Sequence, residues 1–308
     1  MPTGVRHRCL FGDDHLRGHA LRLWISLGLA GVSVTHGWLY IQQLLSLMFT
    51  TPLVCSLGHS HCAGTCNNDV MKTPHFPPDN VQVLAFDIFG TVVDWHGSIV
   101  REMQTLYPQV DGDAFALAWR EGYQPAMQRV MSGELGWTLI DDLNRMILDS
   151  LLPKFSLSHL SETERLHLNR VWHRLHAWPD SVAGLTRLKS RFTLTTLSNG
   201  NIGLLTNMAK RAGLPWDCVL SAEVFRAYKP DPATYLGVAK VFNVAPEQVM
   251  LVAAHHEDLA GARACGLRTA YIERAFEFGA GHLKNVSPQA GNDLHALDLN
   301  ALADQLGC

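Results

Sequence analysis

Val83-Leu-Ala-Phe-Asp87-Ile-Phe-Gly-Thr91-Val-Val-Asp94 is the stretch from which the fold can be read. An apolar run delivers an aspartate, Ile88 and Phe89 carry the chain past it, and Gly90-Thr91 breaks the extended pattern. A buried parallel strand ending in a tight turn reads this way, because strands covered on both faces are continuously apolar. Asp87 then stands at the carboxyl end of a first parallel strand, where open α/β sheets bind ligands in the crevice at the topological switch point. The residue two places on selects the chemistry. An aspartate there would supply a general acid and a metal ligand, whereas Phe89 can neither donate a proton nor coordinate a cation. Asp87 therefore reads as a bare nucleophile.

Beyond Asp94 the pattern turns helical and amphipathic over 98–107, 113–131, 137–152 and 161–176, with Pro153 separating the third segment from the fourth and no strand between them. Four helices inserted after the first strand form a lid over its carboxyl end, which would exclude water from the chemistry there. After Trp178-Pro-Asp180, strands over 192–197, around Val219, over 249–254 and over 268–272 alternate with helices over 181–189, 202–212, 232–242 and 258–265. That alternation predicts an α/β fold, a doubly wound parallel Rossmann-like sheet with a small helical cap domain inserted after the first strand. The expected division is an amino-terminal extension over 1–78, a core from 79–97 and 178–308, and a cap over 98–177.

Polar residues collect at the expected strand ends. Ser198-Asn199-Gly200-Asn201 closes one strand just before a helix, where backbone N–H groups and the helix terminus offer an anion site. The same residues read equally as helix caps. Tyr228-Lys229-Pro230-Asp231-Pro232 presents Lys229 at a helix entrance, just before two prolines that fix the backbone. A lone lysine is usually a solvated charge, but beside two other sites on one sheet edge Lys229 reads as the cation that stabilises Asp87 and an anionic substrate. Ala253-Ala254-His255-His256-Glu257-Asp258 ends a buried strand in a polar cluster, in which Asp258 has the position of a helix cap.

In order and spacing these four runs resemble the four motifs of the haloacid dehalogenase superfamily over nearly all of residues 81–275, and Phe89 resembles the superfamily's type II (S)-2-haloacid dehalogenases rather than its phosphatases. The resemblance implies hydrolysis of short 2-haloalkanoic acids to 2-hydroxy acids through an ester on Asp87. It implies no cofactor and no metal, and suggests a homodimer. Thr91, Lys229, Asp258 and His255 would assist the nucleophile, and Ser198, Asn199, Phe89 and Arg120 would hold substrate and halide. Arg120 in Trp119-Arg120 matches the group's substrate arginine, although an arginine on an amphipathic helix is more often a surface residue. One departure stands out. The group's last motif carries Ser-x-Asn before its aspartate, and this chain has Ala253-Ala254-His255. His255 is left as an orienter, a base for the hydrolytic water or a structural hydrogen-bonding residue. The rival readings are a phosphatase of the same superfamily and a non-catalytic small-acid binding protein.

Composition agrees with a small ligand. The chain has 308 residues, 47% of them hydrophobic, a net charge of −3 and a pI near 6.6, which give no reason to expect nucleic acid or an anionic membrane as partner. Seven cysteines form no disulfide framework, and only Cys218 and Cys265 fall between Val81 and Ala280, as suits a cytoplasmic enzyme. Residues 23–56 contain no Asp, Glu, Lys or Arg and follow Arg6, Arg8, Arg17 and Arg22, a pattern that leaves targeting or membrane anchoring open. His36, Gln42 and Gln43 within the run, and Asp13 and Asp14 before it, argue against both. The expectation is an upstream extension without a fold of its own, with Met71 as the working start. Cys55, His59, His61, Cys62 and Cys66 read as compositional, since their spacing matches no common zinc site. Thr73-Pro-His-Phe-Pro-Pro marks the boundary, because its prolines prevent both helix and central strand.

Overall fold

In the computed structural model residues 80–308 are described. The charge-free segment, the cysteine and histidine cluster and the proline-rich linker up to Asp79 lie outside them.

The first strand, β1 (Val83–Phe86), is the middle of a six-stranded sheet in which every neighbouring pair is parallel. On one side it pairs with β4 (Thr193–Ser198), followed by β5 (Cys218–Ser221). On the other it pairs with β6 (Val249–Ala253), then β7 (Arg268–Ile272) and β8 (Leu294–Ala296). The winding direction changes at β1, so the carboxyl end of β1 opens into the crevice between β4 and β6, and Asp87 N–H still bonds to Val252 O at 3.0 Å.

Side chains alternate between two cores, as the two-residue period of a strand demands. Leu84, Phe86, Met250, Val252, Ala270 and Ile272 face one, and Val83, Ala85, Leu251, Ala253 and Tyr271 face the other. On the first face lie α6 (Ser181–Lys189), α7 (Ile202–Ala212) and α11 (Leu299–Gln305), and on the second α9 (Pro232–Phe242) and α10 (His256–Ala264). A single-turn helix, α8 (Ala222–Phe225), follows β5.

The inserted region holds five helices where the sequence predicts four: α1 (Trp95–Leu106), α2 (Gly112–Glu121), α3 (Tyr123–Met131), α4 (Ile140–Leu151) and α5 (Glu162–Asn169). The expected helix over 113–131 breaks at Gly122 because Pro125, in the first turn of α3, has no N–H and would collide with the carbonyl four residues back. Gly122 also lies against Ile147, whose Cγ2 would be 2.5 Å from any added Cβ. The expected helix over 161–176 stops at Asn169 and continues as a 3₁₀ turn, Arg170–Arg174. Two short strands, β2 (Val93–Asp94) and β3 (His176–Ala177), then pair antiparallel, so strand pairing does occur here, and it ties together the chain's exit to and return from the insertion. Neither β8 nor α11 is anticipated by the sequence reading. Caps hold the helix starts: Asp94 accepts from Gly97 N, Asp231 from Ala233 N, and Ser161 with Glu164 forms a capping box.

The outermost pair, α6 and α11, meets without room to spare. A Cβ on Gly184 would lie 2.7 Å from the backbone carbon of Leu299, which cannot swing aside as a side chain would. Gly184→Ala is expected to destabilise the fold by roughly 1–3 kcal/mol and lower the melting temperature by about 2–12 °C, whereas Val182→Ala, on the exposed side of α6, should change little. Equal melting curves for the two variants would show that α11 yields freely.

Candidate active site

Asp87 is buried at the open end of β1, and each of its oxygens is claimed. Lys229 Nζ donates to Oδ1 at 3.0 Å, Thr91 Oγ1 donates to Oδ2 at 2.7 Å, and His255 Nδ1 lies 3.1 Å from Oδ2. Four structural devices produce this. The turn after β1, with Gly90 at φ +86°, brings Thr91 back over the carboxylate, and Thr91 Oγ1 accepts from Ala254 N at 2.9 Å. The loop entering α9 carries Lys229, whose backbone N–H donates to Asn199 Oδ1 at 2.8 Å. The end of β6 carries His255, and the first turn of α10 carries Asp258, which accepts from Lys229 Nζ through Oδ2 and from Tyr235 Oη at 2.7 Å through Oδ1.

Burial alone would raise Asp87, but the Lys229 ammonium and the His255 hydrogen bond and charge hold it well below the usual carboxylate range. Burial would lower Lys229, but the Asp258 and Asp87 charges push it up instead. Both groups are therefore ionised at neutral pH. His255 is likewise pushed up to about 9, burial being outweighed by the Glu277 charge and the Asp87 hydrogen bond. Burial and the neighbouring Asp258 charge keep the Tyr235 phenol protonated.

A cavity of about 380 Å³ opens onto Asp87, at the small end of the roughly 300–1,000 Å³ typical of ligand pockets. Phe89, Asn199, Lys229, His255 and Asp258 line it from the core side, and Arg120, Tyr123 and Gln124 line it from the cap. Phe89 also packs edge-on to Trp172 at 5.8 Å, so the residue that stands where a metal ligand would be helps to seat the cap. Arg120 lies 4.3 Å over the Tyr123 ring, and its Nη1 is buried without a hydrogen-bond partner. Asn199 Nδ2 donates to the Met127 thioether at 3.3 Å, a weak acceptor, and the Asn199 side chain also interacts with the Tyr123 hydroxyl.

Of the residues expected from the sequence, Asp87, Phe89, Arg120, Asn199, Lys229, His255 and Asp258 meet around the cavity, and Thr91 reaches it through Asp87. Ser198 does not line it. Its side chain is wholly buried and its Oγ accepts from Gly200 N at 3.1 Å. The helix terminus expected to bind an anion is also spoken for, since Ile202 N at the start of α7 donates to the Glu223 carboxylate at 2.7 Å. Asn201 makes no cap. Its amide donates to Asp141 at 2.9 Å and joins α7 to α4. Tyr235, two turns after Lys229, and Glu277, behind His255, are polar parts of the site that the sequence reading did not single out.

Residues 81–266 match the family model described as haloacid dehalogenase-like hydrolase. Among solved structures, the L-2-haloacid dehalogenase PA0810 is 42% identical, with 73% of this chain and 99% of that one covered at a TM-score of 0.71. The defluorinating L-2-haloacid dehalogenase Rha0230 is 41% identical, with 74% and 96% covered and the same TM-score of 0.71. Among curated proteins, (S)-2-haloacid dehalogenase 4A of Burkholderia cepacia is 28% identical over 204 residues, which are 64% of this chain and 84% of the relative. The chain is a member of the haloacid dehalogenase-like hydrolases and belongs, within them, to the 2-haloacid dehalogenase group.

Proposed function

We propose that this protein hydrolyses short (S)-2-haloalkanoic acids to 2-hydroxy acids through an ester on Asp87. The observation that carries the reading is an ionised, buried Asp87 held by Lys229 and Thr91, with Phe89 in place of a second carboxylate. Asp87 attacks the substrate's Cα in line, the halide leaves, and the configuration at that carbon inverts, which is covalent catalysis by a carboxylate. The leaving halide meets Arg120, whose Nη1 has no acceptor in the protein, and the Asn199 amide that lines the same cavity. The substrate carboxylate faces the turn after β4 and the Lys229 ammonium, with Asn199 rather than the buried Ser198 lining the cavity there. Water then attacks the carbonyl carbon of the ester with His255 as base, and the 2-hydroxy acid departs. Holding nucleophile and substrate in near-attack geometry supplies on the order of 7–11 kcal/mol of the acceleration. The cap helices that carry Arg120 and Tyr123 keep bulk water from the first step. Cys218, Cys265 and Cys308 are free thiols, as suits an enzyme working in a reducing compartment.

The (S) enantiomer of 2-chloropropionate is expected to release chloride and the (R) enantiomer to release little, with Asp87→Asn abolishing the reaction. Release of phosphate from p-nitrophenyl phosphate with magnesium, and of no chloride from either enantiomer, would sink the reading. One relative is named as defluorinating, so 2-fluoropropionate belongs in the same assay.

Lys229→Met should be inactive and should also change how stability depends on pH. Without the ammonium, Asp87 and Asp258 share a desolvated site, and their folded-state pKa values rise above those of the unfolded chain. The variant's stability is then present while they are protonated, at low pH, and is lost as pH rises. Removing one partner of a buried pair costs roughly 3–5 kcal/mol, so the melting difference from wild type should be wider at pH 8 than at pH 5. An equal difference at both would mean that Lys229 does not neutralise the pair.

A further inference from the structure

Glu277 belongs to no helix or strand and lies in the long connection between β7 and β8, yet it is wholly buried. Its carboxylate is 2.8 Å from His255 Nε2 and accepts from Trp95 Nε1 at 3.3 Å and from Lys284 Nζ at 2.6 Å. Lys284 Nζ also donates to Ala254 O, the residue before His255, at 2.5 Å. The seat is cut into the nucleophile's own turn: a Cβ on Gly90 would lie 2.2 Å from Glu277 Oε1. A buried carboxylate is held here on two donors with its open side on the imidazole, an arrangement that core packing alone does not call for.

We propose that Glu277 is the positioning residue for hydrolysis of the Asp87 ester: it keeps a proton on His255 Nε2 and so turns His255 Nδ1 toward the water that attacks Asp87 Cγ. The proposal rests on the ester mechanism above and assigns a residue that the mechanism did not require. The tautomer of a histidine is set by the bond its other nitrogen makes, and an anionic acceptor on Nε2 leaves Nδ1 to do the proton transfer.

The same geometry explains how one imidazole serves both half-reactions. In the free enzyme His255 lies between two carboxylates, and its Nδ1–H donates to Asp87. Ester formation turns Asp87 into a neutral group while the other charges nearby, Glu277, Lys284, Lys229, Asp258 and Glu257, stay as they are. His255 then releases its Nδ1 proton to solvent, to which about a quarter of its side chain is exposed (24%). Nδ1 takes a proton from the attacking water as the water oxygen bonds to Cγ. Cleavage of the bond from Cγ to the substrate oxygen follows, with that proton passing to the departing alkoxide. The new Asp87 carboxyl returns its proton to His255, which restores the starting state. Across the cycle one carbon–halogen bond and one water are consumed, and the 2-hydroxy acid, halide and one proton are released. The base is thus freed by the event that creates the need for it.

The test is rapid-quench kinetics with (S)-2-chloropropionate on wild type, Glu277→Gln and Lys284→Met, measuring the chloride burst and, by intact mass, the Asp87 ester. In Glu277→Gln the burst should persist while ester accumulates and its hydrolysis falls roughly tenfold or more, within the roughly 10²–10⁴-fold that a positioned base contributes. The acid limb of ester hydrolysis should also move to lower pH. Glu277 raises His255, and the base works deprotonated, so removing the charge lets it deprotonate at lower pH. Lys284→Met leaves the carboxylate in place but loosens it, and should show the same pattern more weakly, which keeps the question open to test even if Glu277→Gln does not fold. In a His255→Asn background Glu277→Gln should add nothing. Equal slowing of burst and hydrolysis, or hydrolysis at the wild-type rate with an unmoved pH limb, would overturn the assignment. A wild type that forms no ester at all would instead overturn the ester mechanism itself.

Discussion

The ammonium of Lys229 between Asp87 and Asp258 is the contact on which the site depends. Two carboxylates buried at one sheet edge repel each other and lose their hydration, and each would sooner take up a proton than remain charged. A cation bonded to both offsets that difficulty and leaves Asp87 ionised, the only form in which it is a nucleophile, while burial and the Asp87 charge still push Asp258 up. The sheet order makes the contact possible. Because β1 lies between β4 and β6, the loops after all three strands converge, and Asn199 from the end of β4 fixes the backbone of Lys229 while α10 delivers Asp258.

From that centre the charges alternate. Asp258, Lys229, Asp87, His255, Glu277 and Lys284 form a chain in which every neighbour has the opposite sign. With His255 protonated the chain is balanced, which is how six ionisable groups can share a largely buried volume. Arg120 stands outside it, on the cap, lining the same cavity and with its Nη1 unpartnered. The surplus positive charge is therefore at the place where an anionic substrate and a departing halide must be met, and not on the nucleophile's own support.

Much of this was legible in the sequence, because the groups that touch Asp87 directly lie in short runs at the ends of apolar strands. Asp87, His255 and Asp258 each follow such a run, Lys229 is marked by the two prolines after it at a helix entrance, and the helices over 181–189, 202–212 and 232–242 have the bounds that periodicity predicts. What could not be read is side-chain direction. Ser198 and Asn199 are adjacent and equally polar, yet one is turned into the backbone and the other into the cavity, a choice made by the Gly200 N–H and the Lys229 N–H. Competition was equally invisible, since nothing in the local sequence says that Glu223 would take the start of α7. The break at Gly122 was within reach, because Pro125 forbids an unbroken helix there.

Glu277 had no such signal of its own, being a lone acid in an irregular connection, and its trace lies elsewhere in the chain. Gly90 sits at φ +86°, which by itself accounts for a glycine in a tight turn, but the space above it is filled by the Glu277 carboxylate. A larger residue at 90 would have to expel that carboxylate, and without it His255 would lose the bond on Nε2 that orients it. The motif that opens the chain's chemistry therefore constrains two things at once: the turn that exposes Asp87, and the cavity that holds the acid behind its base. The replacement of an asparagine by His255 at the end of β6 makes physical sense only together with that acid, because an imidazole buried beside Asp87 alone would have one nitrogen unpaired.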